Sequence, residues 1–187
     1  PVYQQVARMK SIEVVKDKKV AIDIGANIGL WTKDLTKYFS KVIAIEPIAE
    51  FQDCLRKNVK SENLEILPIA LGMEDTKIDM VLTNGNTGHS HVNLETFGKG
   101  QIEMRRLDSI KFERIDYIKI DCEGYELNIV KGAENTIKNH KPIIIVEQKL
   151  HLDTGITKDT QFGSVELLLS WGAKIIGQVR HDCILGF

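Results

Sequence analysis

Carboxylates end three of the apolar runs in this sequence. Glu46 closes Val42-Ile43-Ala44-Ile45. Asp121 closes Ile115 to Ile120 and opens the acid-rich stretch Asp121-Cys122-Glu123-Gly124-Tyr125-Glu126. Glu147 closes Pro142 to Val146. An acid at the end of a strand, beside a ligand crevice, is placed to accept hydrogen bonds or to take a proton. Asp121, Glu123 and Glu147 are therefore the candidate bases. His151, shortly after Glu147, adds a second acid or base option on the acceptor side. Glu126 is expected to serve the helix that follows it, where an acid suits the dipole.

A different chemistry is written in Asp23-Ile24-Gly25-Ala26-Asn27-Ile28-Gly29, where a strand turns into a helix. Glycine at 25 allows a tight turn and close approach of the backbone to a ligand. The helix starting near Gly29 aims free N–H groups at an anionic end of that ligand. A dinucleotide fingerprint would need glycines at 27 and 30, which hold Asn27 and Leu30, and no phosphate loop ending in G-K-[ST] is present. Glu46, followed by Pro47, stands where such folds place an acid on the ribose hydroxyls. A ribose plus a carboxylate without a diphosphate is the outline of S-adenosylmethionine.

His89 and His91 form an H-x-H pair in the polar, glycine-rich segment Thr83 to Gly100. With no third ligand in sight they read as plain surface histidines or as residues facing an acceptor rather than a metal site. Long segments of this kind in compact domains are usually functional. Cys54, Cys122 and Cys183 are widely spaced and odd in number, which suits a reduced, cytoplasmic protein without a structural metal. Cys54 is expected in the core, on the apolar face of a helix.

These residues need a frame, and the patterning supplies one. Apolar runs at Val20 to Ile24, Val42 to Ile45, Leu64 to Ile69, Ile115 to Ile120 and Pro142 to Val146 alternate with stretches of helical spacing. Those helical stretches are marked by Leu30 to Phe39, Phe51 to Val59, Leu127 to Ala133 and Ser164 to Trp171. Lys77 to Leu82 and Gln101 to Arg106 read as two further strands, and Lys174 to Gly177 with Cys183 to Phe187 as a closing hairpin. The alternation predicts a doubly wound α/β fold with a mostly parallel sheet covered on both faces. Residues 1–187 are expected to form one domain. The chain carries 43% hydrophobic and 27% charged residues and a net charge of -1. Neither a nucleic-acid partner, which would call for a basic face, nor a membrane partner is expected. The acceptor class expected is a small molecule or glycan.

The segments DIGANIG (23–29), Glu46-Pro47, Ala70-Leu71-Gly72, Leu107-Asp108-Ser109-Ile110, KIDCEGYE (119–126) and PIIIVE (142–147) together resemble the FkbM-type methyltransferases, a Rossmann-like branch of the S-adenosylmethionine enzymes. That resemblance implies a seven-stranded sheet with the last strand antiparallel. It implies Asp23, Gly25, Ala26, Asn27 and Gly29 around the methionine part of the cofactor, Glu46 and Pro47 at the ribose, Ala70 at the adenine and Asp121 at the ammonium group. It also implies O-methylation, often of a sugar hydroxyl. Methylation of nitrogen or of an unrelated small molecule, and a non-catalytic cofactor-binding module, are the alternatives.

Overall fold

The computed structural model describes residues 4–82, 90–150 and 158–187. Its centre is a seven-stranded sheet. β1 (Val20–Ile24), β2 (Lys41–Ile45), β3 (Leu64–Leu67), β8 (Tyr117–Ile120), β9 (Ile143–Glu147), β10 (Lys174–Val179) and β11 (Asp182–Gly186) lie in the order β10-β11-β9-β8-β1-β2-β3. β11 alone runs antiparallel to the others, pairing with β9 on one side and β10 on the other. The doubly wound sheet and the closing hairpin stand as expected.

The two faces are filled by strict alternation. Ile22, Ile24, Ile43, Ile45, Ile118, Ile120, Ile144 and Val146 point to one face. There they meet α4 (Glu126–Lys131), α5 (Glu134–His140) and α6 (Lys158–Ser170) through Ile129, Val130, Ile137, Val165 and Leu168. Ala21, Val42, Tyr117, Ile145 and Ile184 point to the other face, against Ala7, Ile12 and Val15 of α1 (Gln5–Glu13) and Trp31, Leu35 and Phe39 of α2 (Leu30–Tyr38). α3 (Ala49–Asn58) covers Ala44 through Leu55.

Four regions depart from the expectations. The run Leu64 to Ile69 ends as a strand at Leu67, and β4 (Ala70–Leu71) joins a second sheet instead. That sheet, in the order β4-β7-β5-β6, is completed by β5 (Thr76–Val81), β6 (His91–Asn93) and β7 (Ile102–Arg105). The polar segment therefore carries a strand of its own, which no apolar period announces. The helical stretch at Leu127 to Ala133 breaks at Gly132, where a side chain would meet the Gly72 carbonyl oxygen at 1.9 Å. Asp108 then holds the start of α5, accepting from the amides of Asn135 (3.0 Å) and Thr136 (2.8 Å).

Cys54 corrects a fourth expectation: it is exposed, not core. The buried stripe of α3 passes through Ile48, Gln52, Leu55 and Val59, and this phase turns Cys54 outward. Gln52 is inside because its amide donates to the Glu46 carbonyl at 2.8 Å. Among the described residues no helix is long and apolar enough to cross a membrane.

Candidate active site

Parallel neighbours in register place their side chains on the same face. On the α1/α2 face the register therefore lays down successive rows across the sheet. The lowest is apolar: Val42, Ala21, Tyr117 and Ile143. The next holds a charge pair, running Ala44, Asp23, Lys119, Ile145 and Ile184. Two residues further, past the last ladder bonds of β1, β2 and β8, the row reads Glu46, Gly25, Asp121, Glu147 and Asp182. Asp182 is the direct register partner of Glu147.

A cavity of about 400 Å³ opens at this row, a size suited to a small-molecule ligand. Gly25, Ala26, Asn27, Glu46, Pro47 and Ala70 all line it. So do Asp121, Glu123 and Glu147, and the structure thus brings the three candidate bases together. Its remaining walls are largely apolar, with Ile48, Phe51, Ile69 and Leu71 on one side and Met80 and Val92 of the second sheet on another. An apolar slot with an acid at one end and mixed polar groups at the other fits a nucleoside joined to an amino acid.

Gly25 has a φ of +72°, and a Cβ there would lie 2.2 Å from the Asp121 carbonyl oxygen. Only glycine satisfies both conditions. Glu46 is fixed from two sides: Asn27 N–H donates to Oε2 at 2.8 Å and Ile48 N–H to Oε1 at 2.9 Å. Burial pushes its carboxyl up to about 6 even though both amides pull it down. Asp121 is likewise pushed up to about 6 by burial, against the pull of Lys119.

Asp23 and Gly29, expected around the cofactor, are not among the residues that line the cavity. Asp23 is fully buried. It accepts from Thr32 Oγ1 at 2.6 Å and pairs with Lys119 Nζ at 3.3 Å, locking α2 onto β1. Gly29 (φ +88°) lets α2 approach α3, since a Cβ would stand 3.0 Å from Val59 Cγ2. His91 is also turned away. It sits between Ser90 and Val92, which line the cavity, and strand alternation sends its side chain to the other side of β6. His89 and His151 lie outside the described residues. Glu126 behaves as a local cap, accepting from the amides of Cys122 (2.8 Å) and Gly124 (3.2 Å).

Lys119 was missed in the sequence. Its ammonium is buried, donates to the carbonyls of Gly25 (2.8 Å) and Ile24 (3.2 Å), and lies 3.3 Å from Asp23 and 3.9 Å from Asp121. One cation thus holds the turn after β1 to the end of β8, and its pKa is raised by Asp23 and Asp121 despite burial. A lysine interrupting the apolar run Tyr117 to Ile120 was the available signal. Lys149, also on the cavity wall, was missed too.

A family model for the methyltransferase FkbM domain matches residues 23–175. The hexuronic acid methyltransferase AglP of Haloferax volcanii is 22% identical over 143 residues, which are 72% of this chain and 58% of that protein. The chain spans a little over half the length of this curated relative. Among solved structures, methyltransferase FkbM from Methylobacillus flagellatus KT superposes with a TM-score of 0.58 and 21% identity, covering 91% of this chain and 44% of that one. The N-methyltransferase NodS from Bradyrhizobium japonicum WM9 gives 0.57 at 11% identity over 98% of this chain and 93% of its own. SMU.1697c from Streptococcus mutans, solved in complex with SAH, gives 0.54 at 10% identity, covering 97% and 94%. The solved structures share the fold, and the family match spans most of the sequence. The chain belongs to the methyltransferase FkbM family.

Proposed function

We propose that the chain is an O-methyltransferase acting on a hydroxyl of a sugar or glycan. The observation that carries this reading is the acid row, which puts a buried carboxylate, Glu147, beside Asp121 on the wall of the cofactor-sized cavity. Both atoms attack through a lone pair, but a hydroxyl is the much weaker nucleophile and has to give up its proton during transfer, whereas a neutral amine can release it afterwards, so a buried base suits oxygen as the acceptor atom. AglP, named for a hexuronic acid, supports a carbohydrate.

The residues divide the work along the row. Glu46 accepts from the ribose hydroxyls, and the walls at Ile48, Phe51 and Leu71 take the adenine. Gly25, Ala26 and Asn27 leave room for the amino-acid end, and Asp121, kept anionic by Lys119, receives its ammonium group. S-adenosylmethionine, when bound, supplies a methyl group already activated on a positive sulfur. Glu147 takes the acceptor's proton, and Glu123 and Lys149 orient the acceptor at the mouth. Alignment in a dry cavity provides the rest of the acceleration.

The test is methyl transfer from labelled cofactor to a panel of hexoses, hexuronic acids and amino sugars, with product analysis. O-methylated sugar is expected. Glu147→Gln should bind S-adenosylhomocysteine as the parent does and turn over about 10²- to 10⁴-fold more slowly. Exclusive methylation of amines, or full activity of that variant, would sink the assignment.

A further inference from the structure

The loop after β8 carries a residue in an unfavourable conformation. Tyr125 N–H donates to the Cys122 carbonyl at 3.2 Å, closing a four-residue turn. Both central residues of that turn have positive φ, Glu123 at 52° and Gly124 at 96°. Turns of this kind take asparagine, aspartate or glycine at the first central position, where a longer side chain is strained. Glu123 occupies it all the same, and it lines the cavity together with Glu147 and Lys149. A strained residue on a cavity wall persists only where its surroundings hold it.

The holding group is Glu126, only 1% exposed. Its Oε1 accepts from the amides of Cys122 at 2.8 Å and Gly124 at 3.2 Å, one on each side of Glu123. Both amides precede α4, so the carboxylate reaches back and clamps the turn. α6 closes the back of the turn: a Cβ on Gly124 would stand 3.2 Å from Gln161 Cδ. We propose that Glu126 is a positioning residue for acceptor recognition: it keeps Glu123 in its left-handed conformation and so presents that side chain to the hydroxyls of the acceptor. This rests on the reading of Glu123 as a group that orients the acceptor. The cofactor end has its own supports, since Asp121 pairs with Lys119 at 3.9 Å and its amide donates to the Ile24 carbonyl at 3.4 Å. Glu126 therefore governs the acceptor and not the methyl donor.

Two experiments test the clamp, and the first needs no acceptor. Alanine at 123 carries the strain of a β-carbon in the left-handed region and glycine does not, so Glu123→Gly should melt about 2–4 °C above Glu123→Ala. With Glu126→Ala added to both, the turn is released and that margin should vanish. An equal margin in the two backgrounds would overturn the proposal. The second experiment uses whichever hexose, hexuronic acid or amino sugar the parent methylates best. Glu123→Ala should raise its KM about tenfold or more, Glu126→Ala should do nearly the same, and the double variant should be no worse than Glu123→Ala alone. S-adenosylhomocysteine affinity should stay within about threefold of the parent in all three. Glu126→Gln, which keeps an oxygen for the two amides, should recover most of the acceptor affinity. Additive losses, or a cofactor affinity that falls as the acceptor KM rises, would reduce Glu126 to a prop of the fold and overturn the proposal. Glu126→Leu, which fills the buried space without an acceptor oxygen, takes the place of the alanine variant in both experiments if that variant folds poorly. If the parent methylates no sugar, the functional reading fails, and the melting comparison still decides whether Glu126 holds the turn.

Discussion

The two ends of the central strands treat their acids in opposite ways. At the amino end, Asp116 accepts from the Val20 amide at 2.9 Å and from Arg114 Nε at 2.6 Å, and Arg114 also reaches Asp17 at 2.6 Å. Each charge there has a near partner and access to water. At the carboxyl end Asp23 and Asp121 share the single ammonium of Lys119, while Glu46 depends on backbone amides. The same sheet therefore ends in settled charge on one side and in unsettled charge on the other. Unsettled charge at the strand ends is what a binding and catalytic edge requires.

This contrast can be broken most severely at Lys119. Lys119→Met leaves Asp23 and Asp121 buried without their cation, and a loss of about 3–5 kcal/mol is expected in denaturant unfolding. Glu46→Gln keeps the fold and weakens the cofactor end. Loss of a hydrogen-bonded charge should lower S-adenosylhomocysteine affinity about 10- to 100-fold by calorimetry. An unchanged affinity would place the ribose elsewhere.

A pH series sharpens the comparison without mutation. Glu46 and Asp121 (pushed up to about 6) and Glu126 and Asp182 (pushed up to about 7) have folded values above their unfolded ones. Their stabilising contribution is fully present below the unfolded carboxylate value and is lost as pH rises through 6 to 7. Asp34 and Asp75, which do not line the cavity, are shifted the other way; their contribution is lost only as pH falls below the ordinary carboxylate range. From pH 5 to 8 the melting temperature of the ligand-free protein should therefore decline because of the carboxyl end alone. Cofactor affinity should move oppositely, falling below about pH 6 as Glu46 and Asp121 protonate. The smallest effect belongs to the amino end: Arg114→Ala should leave cofactor binding and turnover unaltered and barely move the melting temperature.

Much of this was legible in the chain. Glu46, Asp121 and Glu147 stand out because each ends an apolar run, and Gly25 because a strand stops there. What the sequence conceals is register: whether acids on four strands, far apart in the chain, fall in one row depends on pairings no local pattern encodes. Asp182 was hidden for that reason, inside a hairpin whose presence was legible and whose alignment was not. Cys54 was misplaced because Gln52 carries the buried stripe of α3, drawn inward by a carbonyl on a neighbouring strand end. α1 went unseen because its nine residues carry no clear apolar period. Its burial comes from the sheet, not from its own composition.

The second sheet has a consequence for how such enzymes diversify. Among the described residues it pairs with no strand of the seven-stranded sheet, yet it supplies Ala70, Leu71, Met80 and Val92 to the cavity wall. It is inserted between β3 and β8, seated on the helix break at Gly132. Exchange of the described strands β5, β6 and β7 should redraw one wall while the turn after β1, the acid row and Lys119 stay as they are. In the proposed division of the cavity, the wall at Met80 and Val92 can change without touching the residues assigned to the methyl donor.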